Sequence, residues 1–256
     1  MQYLQKLSSR TKIFLVVFIT LITAILVAQL PIIPQALYYH DFADHRIFVG
    51  IPNFLDVVSN LAFTLAGLSG LFLLYSREIQ LRWQDKILYL IYFLGVILTS
   101  VGSAYYHFAP DNERLVWDRL PMTIVAMSLL AAIIAERISS KAGITILLPL
   151  LMLGIGSVFY WQKFDDLRPY GFVIFFPMLL VPILLALFPV KNGSGEYFAY
   201  LIGLYLLAKL CEHFDAQIFA AGGVISGHTL KHIIAALGLF QVVLMIKKRK
   251  GDDTSC

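Results

Sequence analysis

The feature that most constrains this chain is a series of apolar runs, each of about 20 residues, separated by short breaks that carry most of its charge. A helix of that length crosses the hydrocarbon core of a bilayer, where every backbone polar group must find its partner inside the segment. Runs bounded by charged or Pro/Gly-rich breaks predict eight spans, at about 13–33, 54–75, 87–107, 117–137, 143–162, 170–189, 196–213 and 227–246. Only 14% of the residues are charged, against about a quarter in a soluble domain. An all-α, polytopic membrane protein is therefore expected. The first run follows Lys6, Arg10 and Lys12, as a signal peptide would. Its apolar core is too long for one, and Gln29-Leu30-Pro31 is a poor small-residue cleavage site, so the helix is read as retained. There is no internal repeat, low-complexity linker or soluble domain.

Loop charge orients the spans. The N-terminal basic residues and the run Lys247-Lys248-Arg249-Lys250 place both termini in the cytoplasm, which requires an even number of spans. Arg77, Arg82 and Lys86, then Arg137 and Lys141, fall in the cytoplasmic loops of this arrangement. The opposite loops carry acid: Asp41 and Asp44, Asp111 and Glu113, Asp165 and Asp166, and Asp215. The net charge of +4, gathered at helix ends, suits anionic head groups and gives no reason to expect a nucleic-acid partner. Cys211 lies in an apolar stretch and Cys256 ends the chain, so neither a disulfide nor a thiolate metal site is suggested.

Ionisable groups inside spans are costly and mark functional sites. Ser103 and His107 lie four apart at the end of the third span, and His228 and His232 lie four apart at the start of the eighth. That spacing puts each pair on one helix face. Asp118 opens the fourth span. All five fall at one depth, near the outer leaflet. Three neutral imidazoles on rigid helices describe a catalytic zinc site with an open position for water. A nearby carboxylate, Asp118, suits proton transfer, and a hydroxyl, Ser103, suits oxyanion stabilisation. The alternatives are helix packing for either His pair, a small-residue contact for Ser103, and an N-cap for Asp118 beside Arg119. A bis-histidine haem would leave Ser103, Asp118 and one histidine without a role. A transporter more often shows broken helices near the midplane.

The stretch from Ser103 through His107 to Asp118-Arg-Leu-Pro121-Met122, with Gly227-His228-Thr-Leu-Lys-His232 downstream and Pro52 to Asn60 before it, resembles the alkaline ceramidases. These form part of a membrane hydrolase superfamily that also includes the progestin and adipoQ receptors. The resemblance covers about 53–246. It implies a seven-helix core there, preceded by an additional transmembrane helix and outer loop (1–52) and followed by a basic cytoplasmic tail (247–256). It further implies that His107, His228 and His232 bind Zn2+, that Asp118 acts on the zinc water and that Ser103 stabilises the oxyanion. The implied reaction is hydrolysis of a ceramide-like lipid to a long-chain base and a fatty acid. The alternative is a zinc-containing receptor or sensor of the adipoQ-receptor type, without turnover. Calcium (Ca2+) dependence is not implied. The acidic, tryptophan-containing site of eukaryotic relatives has no counterpart, and Asn53 stands where a glutamate is expected, leaving Asp41, Asp44 and Asp56 as the acids nearby.

Asp56 and Asn60 share a face of the second span and are expected either to line the substrate cavity or to make an interhelical hydrogen bond. Glu212, His213 and Asp215 offer either an outer shell for a histidine or a solvated helix end. Tyr105, Tyr106 and Trp117 are read as interfacial anchors, and His40 and His45 as loop residues.

Overall fold

The computed structural model describes residues 6–77, 79–190 and 194–253, with side chains to residue 248. Cys256 and the side chains of Arg249 and Lys250 lie outside the described residues. The described chain is helical throughout: α1 (Ser9–Gln29), α2 (Phe54–Val58), α3 (Leu61–Tyr75), α4 (Trp83–Phe108), α5 (Asn112–Arg137), α6 (Ser140–Phe164), α7 (Arg168–Leu187), α8 (Gly195–His213), α9 (Asp215–Gly222) and α10 (Gly227–Asp253), with a 3-10 turn at Leu37–His40. Among the described residues, seven segments are long and apolar enough to cross a membrane: α1, α2 with α3, α4, α5, α6, α7 and α10. This is an integral, multi-pass architecture. The expected span at 196–213 folds as α8, but Glu196, Lys209 and Glu212 fall at both its ends and interrupt the long, nearly uncharged apolar stretch that each of those seven contains.

Helix boundaries depart from the apolar runs where capping chemistry intervenes. α1 begins at Ser9 because the Ser8 hydroxyl accepts the Thr11 N–H, an N-cap that satisfies an otherwise orphaned donor. It stops at Gln29 because Pro31 forces Leu30 out of the helical region. Asp111 caps α5, accepting the Arg114 N–H at 2.7 Å, so Asp118 lies inside the helix and is not its cap. The expected span 54–75 breaks between α2 and α3. There Asn60 Nδ2 donates to the Asp56 carbonyl at 2.8 Å.

The helices sort into two compact units. The first comprises Met1–Gln35, Leu81–Tyr92 and Thr123–Gly193. In it α7 packs on α1 and α6. No residue of α1 is buried, and Phe14, Phe18, Leu21 and Leu26 are exposed. A helix apolar on all sides is at rest in lipid and not in water. Its end is nonetheless fastened: Arg168 Nη1 donates to the carbonyls of Ala28 and Leu30, and Asp165 accepts the Gln35 N–H. The Arg168 guanidinium holds the Asp166 carboxyl below its usual range.

The second unit comprises Ala36–Gln80, Phe93–Met122 and Ser194–Cys256. α10 is its centre, packed on α8 and α3 and joined by α2 and α9. All five residues of the expected constellation belong to this unit. They sit at the C-terminal end of α4 and the N-terminal ends of α5 and α10.

Candidate metal centre

Two glycines set the backbone around the site. A methyl group on Gly102 would collide with the Trp117 carbonyl, so only glycine lets α5 approach α4 closely at that level. The next residues along, Ser103 and Asp118, are thereby brought together, with the Ser103 hydroxyl beside the Asp118 carboxylate. Gly227 plays the same part on α10, where a methyl would strike the Cys211 carbonyl and the Asp215 backbone. The turn from α8 to α9 closes on the residue before His228, and Asp215 Oδ1 accepts the His228 N–H at 2.7 Å.

His107, His228 and His232 converge and are all buried. One ring nitrogen from each lies within 4.8 Å of the others, and Nε2 of His107 and Nε2 of His228 are 3.2 Å apart. Nε2 of His232 is buried without a hydrogen-bond partner. Buried polar atoms are nearly always satisfied; three imidazole nitrogens turned on one point, one of them an orphan, fit a shared metal ion. The donor set can hold a metal.

The groups behind the rings were less legible. The break after α2 brings Ser59 to His232, with Oγ 2.8 Å from Nδ1. The same hydroxyl reaches the Asp56 carbonyl at 3.2 Å. Its proton goes to that carbonyl, so Oγ accepts from Nδ1–H and leaves the Nε2 lone pair facing the cluster. Asn53 starts α2 in the left-handed region (φ 47°) and donates from Nδ2 to the His107 carbonyl at 2.8 Å. Phe42, from the outer loop, is buried against the His107 and His228 rings at 4.7 and 4.5 Å between centroids. That loop is tied down where Asp215 accepts the Ala43 N–H. Arg46 adds a second tie, donating to the Gly223 and Val224 carbonyls. No periodicity marks Phe42 or Ser59, because both act across long sequence separations.

Asp56 and Asn60 share a sequence face and stay joined across the helix break by the bond from Asn60 Nδ2 to the Asp56 carbonyl. Oδ1 of Asp56 accepts from the hydroxyls of Ser226 and Thr229 at the start of α10. The Asn60 carbonyl accepts from Ser100 of α4 at 2.6 Å. Tyr106 is no interfacial anchor: it is 1% exposed and its hydroxyl meets His40 Nδ1 at 2.8 Å. Its position within α4, one residue before a ligand, turns it inward. Tyr105 and Trp117 are exposed, as anchors should be. His40 is thus a bound loop residue, also meeting Asn112 at 3.0 Å, whereas His45 is exposed beside Asp41.

Glu212 and Asp215 turn inward, while His213 is exposed. Glu212 accepts from Lys209 and, at 2.7 Å, from Lys231. Of the acids near the first core helix, Asp44 gives both oxygens to the Arg46 guanidinium, which holds its carboxyl below the ordinary range.

The family model described as ceramidase matches residues 39–194, more than half of the chain. The match takes in Ser103, His107 and Asp118 and ends before His228 and His232, which the fold supplies from α10. No curated protein matches the chain.

Proposed function

The chain belongs to the ceramidase family, and from that premise we propose that it is a zinc-dependent intramembrane hydrolase. Its substrate is ceramide or a related N-acyl lipid, cleaved at the amide to a long-chain base and a fatty acid. The observation that carries this reading is the convergence of three buried imidazoles, on helices whose ends also carry the paired Ser103 and Asp118. Zinc at about 2.0–2.1 Å from each of two tetrahedral ligand nitrogens would separate them by about 3.3 Å, and the observed 3.2 Å fits that spacing.

Zinc held by His107, His228 and His232 would supply a Lewis acid and a water acidified towards neutrality. Asp118 accepts the proton of the attacking water and passes it to the leaving amine nitrogen. Ser103, beside that carboxylate, turns its hydroxyl proton to the carbonyl oxygen as charge develops there. Phe42 covers the His107 and His228 rings and keeps bulk water from them. Beside the substrate contact expected of Asp56 and Asn60, the bonds of the Asp56 carboxylate and the Asn60 backbone carbonyl support a bracing role, toward α10 and α4. Calcium has no part in this reading, since Arg46 occupies Asp44. Loop charge supports a site at the extracytoplasmic leaflet, which a two-chain lipid would enter laterally between helices.

The test is a panel of ceramides, N-acyl amino lipids and simple esters given to zinc-loaded protein, with products identified by mass spectrometry. A free fatty acid and a long-chain amine are expected. Zinc-loaded protein that releases nothing from any of them would overturn the hydrolase in favour of a zinc-containing receptor or sensor. Elemental analysis of the purified protein should find about one zinc per chain, and His228→Ala should lose it.

A further inference from the structure

Lys231 stands three residues after His228 and one before His232, so it shares the helix face of the first ligand. Its ammonium donates to Glu212 Oε1 at 2.7 Å and lies 3.2 Å from His228 Nε2, the nitrogen that meets His107 Nε2. Only 18% of its side chain is exposed. The second oxygen of Glu212 is already taken by Lys209. Two ammonium groups therefore share one carboxylate, and the group of three carries a charge of +1 (two positive, one negative).

Lys209 is 39% exposed and gives up part of its charge to water, whereas Lys231 is held inside, where a charge is costly unless it is fully paired. The inner cation is aimed at a nitrogen that itself faces a metal position. A metal ion held by the three imidazoles would repel this ammonium in a low dielectric unless an anionic oxygen lay between them. Asp118 is within electrostatic range of Lys231, but the ammonium's bonds go to Glu212 and His228. The anion that completes the arrangement is thus one that arrives.

We propose that Lys231 is the anion-receiving group of the site, with Glu212 as the positioning residue that holds it. The oxygen it binds is the amide carbonyl oxygen as it gains charge, and then the carboxylate of the released fatty acid. The first of these rests on the hydrolase reading, whereas the second requires only that a fatty carboxylate reach the site.

The two sources separate experimentally. Zinc-loaded, full-length protein is titrated with hexadecanoate and with hexadecanol, by displacement of a fluorescent fatty acid. The wild type should prefer the carboxylate, and Lys231→Met should reduce that preference by about tenfold or more with zinc content unchanged, as for loss of a charged hydrogen bond. Lys231→Arg should keep most of it. In turnover of ceramide, Lys231→Met should lower kcat about a hundredfold with KM little changed. Lys231→Gln is read alongside, so that a fold or zinc defect in the Met variant does not decide the outcome. A carboxylate preference equal in wild type and in zinc-replete Met and Gln variants overturns the proposal, as does its absence from the wild type. If the preference depends on Lys231 while no N-acyl lipid is cleaved, the anion site stands and the hydrolase reading fails. If lipid is cleaved and the variants change neither preference nor kcat, the anion site alone falls.

Discussion

Ser59→Ala tests whether the break between α2 and α3 serves the metal centre. The Ser59 hydroxyl sits 2.8 Å from His232 Nδ1 and hands its proton to the Asp56 carbonyl. This fixes the tautomer with Nε2 free to bind metal. Alanine leaves Nδ1–H unsatisfied next to a buried ring and frees the imidazole to turn. Loss of such an outer partner costs about 10- to 100-fold in metal affinity, or about 1.4–2.7 kcal/mol. That range agrees with the cost of about 1–3 kcal/mol for leaving a buried donor unpaired. The assay is competition for zinc against a chromophoric chelator in detergent-solubilised protein, with Ser69→Ala as the control. Ser69 bonds only its own helix, at the Leu65 carbonyl, so that change should leave affinity untouched. One equivalent of zinc bound by Ser59→Ala as tightly as by the control would refute the argument.

Other outcomes follow from the same contacts. Gly102→Ala should push α5 off α4 and cost about 1–3 kcal/mol, with a lower thermal midpoint and loss of turnover. Gly156→Ala, which meets nothing within 4 Å, should do neither, and equal behaviour of the two would contradict the close-approach reading. Asp118→Asn should keep zinc and lose about 10²- to 10⁴-fold in kcat; full activity would remove its proton-transfer role. The Asp44 carboxyl, held below its ordinary 3.8 by Arg46, adds stability above the unfolded-state value and loses it as pH falls through the folded one. Hydrogen exchange in the outer loop around 41–46 should therefore rise only below about pH 4, and Arg46→Met should remove that acid transition. Loosening at higher pH in the wild type would show that another group governs the loop.

Apolar run length was enough to establish the membrane architecture, because a span must satisfy its own backbone and so writes its length into consecutive residues. The i, i+4 spacing of Ser103 with His107, and of His228 with His232, was equally legible, since residues one turn apart share a face wherever the helix goes. Those local regularities do not encode what meets across the bundle. Tertiary packing alone decided that Gly102 would admit α5, that a helix break would deliver Ser59 to His232, and that Phe42 would close over two rings. It also turned Tyr106 inward and set the hydroxyls of Ser226 and Thr229 against Asp56. Lys231 was visible inside the histidine motif from the start, but its meaning depends on Glu212, a residue of another helix. Contacts of this kind depend on which backbones can approach, a property of pairs of helices that no single run of sequence carries.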